Sequence, residues 1–238
     1  MNRTPIDSPL VYLPGNNYRQ ELVQPFLDYI SPLFSSITYI ELLENMYSDL
    51  AYEQLVPEAY NHYILNQLPN TDQRYVFLGT SMGCYHIQNF AAEFPNLVSH
   101  VIWIEPTMCG GDYRLLRQFE SGRGNGEWID EFRRVEGKIL DITSADKVID
   151  IAVSREGGMA LFSRTIPISI IFTTRNINNE PYNNEQLTAK QGFLDRLRDE
   201  GYDINVVYID SNHAADTNPD AFNSIVEFMT TELRRNTW

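Results

Sequence analysis

Short apolar runs alternate with amphipathic helical stretches along this chain, and that alternation constrains the fold more than any other feature. Leu10–Leu13 is apolar and is closed by Pro14-Gly15, which predicts a buried strand ending in a tight loop. Leu22, Val23, Phe26, Leu27 and Ile30 recur at helical spacing over 21–30. Residues 37–42 are rich in β-branched and aromatic side chains and predict a second strand. Over 55–68, Ala59, Tyr63, Ile64 and Leu68 share one helical face, and Pro69-Asn70 ends it. A third strand is predicted at 75–78 and a helix at 82–94, stopped by Pro95. Strands follow at 101–104 and 168–172. An amphipathic helix over 186–200 ends at Gly201 in the C-cap position. A sixth strand at 205–209 precedes a last helix at 219–233, which turns Ala221, Phe222, Ile225, Val226 and Met229 inward.

Strands and helices in this order build βαβ units around a mainly parallel sheet. The expected architecture is α/β, a three-layer α/β/α sandwich formed by residues 1–238 as one domain. One stretch breaks the rhythm. Residues 107–164 carry glycine clusters (Gly110-Gly111, Gly122, Gly124, Gly126, Gly157-Gly158) between short helical patterns. They read as an inserted lid of roughly sixty residues, long enough to cap a pocket.

Composition narrows the partners. With 43% hydrophobic and 21% charged residues, the chain has the make-up of a globular protein rather than a disordered one. Lys plus Arg is 18 and Asp plus Glu is 32, so the net charge is 18 − 32 = −14. A surface this acidic repels phosphates and anionic headgroups, which argues against nucleic acid as a partner. The two cysteines, Cys84 and Cys109, are too few for a secreted disulfide framework and imply reduced thiols in a cytoplasmic protein. Residues 1–9 are polar with two prolines and lack the layout of a signal peptide. No apolar run reaches the ~20 residues needed to cross a bilayer.

The chemistry centres on Gly79-Thr80-Ser81-Met82-Gly83, a G-x-S-x-G set between a strand and a helix. The chain must reverse sharply there, which strains the central residue and exposes its side chain. Flanking glycines remove side chains that would collide in the turn. Ser81 also falls at a helix N-terminus, which favours a developing anion. A serine hydroxyl needs a base. Of the four histidines, His62 and His86 lie in predicted helices and His100 begins a strand at the opposite end of the sheet. His213 follows the sixth strand, so it joins Ser81 at the edge where active sites form in parallel sheets. An oxyanion hole requires the N–H of Met82 and a second from the loop after the first strand, where Gly15 permits close approach and Asn16 supplies the donor. Cys84 reads as helix packing. Tyr12, Trp103, Tyr113, Phe119 and Trp128 are candidates to line an apolar acyl pocket, although aromatics more often fill the core.

Leu13-Pro14-Gly15-Asn16, Gly79-Thr80-Ser81-Met82-Gly83 and His213 with Asn218-Pro219 together resemble the α/β-hydrolase superfamily over nearly the whole chain, with the two leading strands of that family missing. The resemblance implies hydrolysis of esters, thioesters, amides or related bonds, with neither a metal nor an organic cofactor. It also implies an aspartate shortly after the fifth strand. Asn176 stands there, and an amide cannot stabilise an imidazolium as a carboxylate does. A second acid position, at the end of the strand after the nucleophile helix, holds Glu105. That placement is similar to the haloalkane dehalogenase and coelenterazine luciferase branch, although a serine stands where the dehalogenases carry aspartate. Glu180 is the other candidate acid.

The expected activity is hydrolysis of a small or apolar carboxylic ester or thioester through an acyl-enzyme on Ser81, with His213 as base and Glu105 as acid. Two other readings remain open: a non-catalytic ligand-binding or interaction protein on a hydrolase scaffold, and C–C bond hydrolysis by the same triad.

Overall fold

The computed structural model describes residues 6–15, 19–46, 57–106, 161–176 and 179–235. The lid read into 107–164 lies outside them except for its last residues, as do Asn16 and Cys109. The described strands are β1 (Leu10–Leu13), β2 (Ile37–Tyr39), β3 (Tyr75–Thr80), β4 (Val98–Ile104), β5 (Ile168–Thr173) and β6 (Ile204–Ile209). The helices are α1 (Gln20–Ile30), α2 (Leu43–Met46), α3 (Pro57–Gln67), α4 (Met82–Glu93), α5 (Asn184–Asp199) and α6 (Pro219–Arg235). The short α2 is a helix that the periodicity does not predict. The second strand stops at Tyr39, so 40–42 lie beyond it.

The strands form one sheet in the order β2-β1-β3-β4-β5-β6, and every neighbouring pair is parallel. β1, β3 and β5 are buried along their whole length, whereas β2 at one edge is only half-buried. Central strands of a parallel sheet are covered on both faces, hence their continuous apolar runs. Side chains on successive residues point to opposite faces and sort into two cores. Val11, Phe77, Val101 and Ile170 pack under α3, α4 and α5, with Tyr60, Ile87 and Phe193. Leu10, Val76, Ile102 and Ile171 pack on the other face against α1 and α6, with Phe26, Ile30, Phe222 and Met229. Helix, sheet and helix make the three layers.

Two local features shape the edge where β1, β3, β4 and β6 end. A Cβ on Gly79 would stand 2.8 Å from the backbone nitrogen of Cys84, and one on Gly83 would stand 2.6 Å from the carbonyl oxygen of Pro14. Both approaches are closer than real Cβ atoms allow. Glycine at these positions therefore lets α4 start directly over the end of β3 and against the loop leaving β1.

Candidate active site at the strand ends

Ser81 sits between β3 and α4 at φ 50° and ψ −113°, in the half of backbone space that L-residues avoid. Its N–H donates to the carbonyl of Ile104 at 2.9 Å and its carbonyl accepts from Cys84 N–H at 3.1 Å. The strained turn is thus pinned from both sides. Its side chain makes no capping hydrogen bond to α4. Met82 is the first residue of α4, so its N–H lies at the positive end of the helix. The other expected oxyanion donor, Asn16, lies outside the described residues; Gly15 before it is buried.

Glu105 follows β4 immediately and also adopts a positive φ, 47°. That turn sends its carboxylate inward, where it is 3% exposed. Its Oε1 accepts from the N–H of Thr173 and from Thr173 Oγ1 at 2.9 Å. Its Oε2 accepts from the Tyr182 hydroxyl at 2.9 Å. Lys190 Nζ stands 2.8 Å from each oxygen. His213 brings Nδ1 to 3.7 Å from Oε2, a charge contact somewhat longer than a hydrogen bond. Burial alone would raise the Glu105 pKa; the His213 imidazole and the Lys190 ammonium outweigh it and hold the carboxyl at about 2. Glu105 is a carboxylate throughout the physiological range.

The structure therefore joins Glu105 to His213, while Ser81 stands at the same strand-end edge. Glu180 is exposed, and its main chain pairs with Asn176: its N–H donates to Asn176 Oδ1 at 3.1 Å and its carbonyl accepts from Asn176 N–H at 2.8 Å. Asn176 thus closes a loop through its amide. His86 is buried and stacks on Tyr60 with ring centroids 3.5 Å apart, and His62 is exposed. His100 is buried beside Ser169 Oγ at 2.8 Å, and burial pulls its pKa down to about 4. Cys84 is buried and donates to the Gly79 carbonyl at 3.1 Å.

Two of the candidate pocket aromatics fill the core, the commoner place for such residues. Trp103 is wholly buried between Phe162 and Phe193, and Tyr12 directs its hydroxyl to Asp216. Both are core groups rather than pocket lining. Tyr113, Phe119 and Trp128 lie outside the described residues.

Sequence reasoning missed Lys190, Tyr182 and Asp216. The signal for Lys190 was present, because it shares the buried face of α5 with Gln186, Phe193, Leu194 and Leu197. A lysine on an apolar face demands a buried anion. Asp216, in a 3₁₀ turn at Ala215–Thr217, is fully buried and accepts from the Tyr12 hydroxyl and from Thr80 Oγ1, the latter at 2.6 Å. It ties the turn after His213 to β1 and to the residue before Ser81. Among the described residues no His, Cys, Asp and Glu group could hold a metal ion.

No family model matches the chain, and no curated protein matches it. Solved structures do. A carboxylesterase of the thaumarchaeon Nitrososphaera gargenis superposes with a TM-score of 0.66 at 13% identity, covering 99% of this chain and 94% of that one. Naproxen esterase (carboxylesterase NP) from Bacillus subtilis gives 0.60 at 15% identity over 97% and 85%. The RedJ thioesterase of the prodiginine biosynthetic pathway in Streptomyces coelicolor gives 0.59 at 12% identity over 94% and 90%. At such identities the likeness shows the fold: the chain has the α/β-hydrolase fold.

Proposed function

We propose that this chain is a serine hydrolase that cleaves a carboxylic ester or thioester with a small or apolar acyl group. The observation that carries the reading is the strained Ser81 turn, held by Gly79 and Gly83, at the sheet edge that also holds a buried Glu105–His213 pair 3.7 Å apart. A serine forced to φ 50° at a helix start is costly unless used. The esterases and thioesterase of the same fold support the substrate class, and no helix among the described residues is long and apolar enough to cross a membrane.

The chemistry is two-step acyl transfer. Ser81 Oγ attacks the carbonyl carbon while His213 takes its proton. The oxyanion settles on the N–H of Met82 and on that of Asn16. His213 then protonates the departing alcohol or thiol, and water attacks the acyl-enzyme with His213 again as base. Glu105, ionised and paired at Oε2 with the imidazole, orients the ring and stabilises its protonated form. Ser81→Ala abolishes turnover of p-nitrophenyl esters and labelling by a fluorophosphonate; undiminished turnover in that variant sinks the assignment.

A further inference from the structure

Glu105 is an unusual acid because its charge is already paired with a buried ammonium. Lysine is almost never fully buried unless paired, yet the Lys190 side chain is only 6% exposed. Its Nζ is shared equally, 2.8 Å to each oxygen of Glu105. The ammonium also lies 3.4 Å from the centroid of the Tyr182 ring and 4.7 Å from that of Phe172. Aromatic faces hold a cation in place without competing for its protons. Lys190 is therefore fixed on the carboxylate that faces His213.

We propose that Lys190 is a positioning residue for the triad, clamping both oxygens of Glu105 and limiting the negative charge that reaches His213. The proposal rests on the serine hydrolase reading above. A bare carboxylate beside an imidazole favours the imidazolium strongly; a carboxylate shared with an ammonium favours it less. Lys190 thereby keeps His213 deprotonated, and able to accept the Ser81 proton, at a lower pH than an unpaired acid would allow.

The charged and titratable groups around the pair come from several elements. Lys190 comes from α5, the Tyr182 phenol from the loop before it, and Thr173, which is neutral, from β5. Asp216, in the turn after His213, lies close enough to interact with it electrostatically. Without Lys190, Glu105 keeps the donors of Thr173 and Tyr182 and stays ionised near neutrality. Its charge then acts undiluted on His213.

The test is the rate of fluorophosphonate labelling of Ser81 as a function of pH, with folding checked by circular dichroism. Lys190→Met removes the charge at similar length; Lys190→Gln removes it while keeping a hydrogen-bond donor, so it tests the proposal where the Met variant does not fold. The midpoint of the acid limb is expected to rise by on the order of one pH unit. A midpoint that stays or falls in a folded variant overturns the proposal. Failure of the unaltered chain to label at Ser81 is a different result, and it removes the hydrolase reading itself.

Discussion

Two carboxyl groups are buried within the active-site edge, and their surroundings push them in opposite directions. Glu105 meets an ammonium and an imidazole, and its pKa falls to about 2. Asp216 has hydroxyl donors from Tyr12 and Thr80, and burial pushes its pKa up despite them. Burial by itself favours the neutral acid; a cation in contact reverses this, and neutral donors do not. The chain thus carries one buried carboxyl that stays charged and one that resists charging.

The largest expected effect comes from erasing the charged member. Glu105→Gln is expected to lower kcat on p-nitrophenyl esters by about 10³–10⁴-fold, as loss of the acid's charge does in serine triads. It also leaves the Lys190 ammonium buried without a counter-charge, which costs about 3–5 kcal/mol in other buried pairs. Thermal unfolding should therefore fall together with activity. A variant within tenfold of the unaltered kcat would break the comparison, because Glu105 would then be a structural ion-pair partner alone.

Asp216 gives the next effect, smaller and different in its pH dependence. Because the folded-state pKa of Asp216 is raised above its ordinary 3.8, its contribution to stability is fully present below that value and is lost as pH rises. Glu105 behaves oppositely: its contribution is present above the ordinary 4.5 and is lost as pH falls toward about 2. Asp216→Asn keeps the size and an acceptor for both hydroxyls but cannot ionise. Relative to the unaltered chain, its melting temperature is expected to improve as pH rises above the ordinary 3.8, by a few degrees. A trend of opposite sign would show Asp216 to be a stabilised carboxylate and would erase the contrast with Glu105.

Much of this was legible in the sequence, and the exceptions have physical reasons. The strand–helix alternation is set by burial of apolar side chains on both faces of the sheet, so periodicity alone locates β1, β3 and β5 to within two residues at each end. Ser81 was legible because a tight turn imposes local sequence rules: glycine at 79 and 83 is needed to clear Cys84 and Pro14. The meeting of Glu105 and His213 could only be argued from strand order, since 108 positions separate them along the chain (213 − 105). Lys190 is a charged exception on the buried face of its helix, and the carboxylate that answers it lies 85 positions away. Tyr12 is an aromatic that sequence alone leaves open between pocket and core. Its hydroxyl makes it a core residue with a polar end, a distinction that depends on Asp216 arriving from the far end of the chain.

The smallest effect is expected at the loop after β5, where acids of this fold resemblance were anticipated. Asn176 and Glu180 make a paired loop there, with Asn179 at φ 63° carrying the chain round. The loop uses the Glu180 main chain, not its carboxylate, and that carboxylate is exposed to water. A solvated charge interacts weakly with anything beyond contact distance. Glu180→Gln should therefore leave kcat within about twofold and the melting temperature within the scatter of a neutral surface change. This small effect is what gives the Glu105 variant its meaning, since both replace a glutamate by its amide. A loss beyond tenfold in Glu180→Gln would move the acid into this loop, leaving the Glu105–Lys190 pair to be explained as structure.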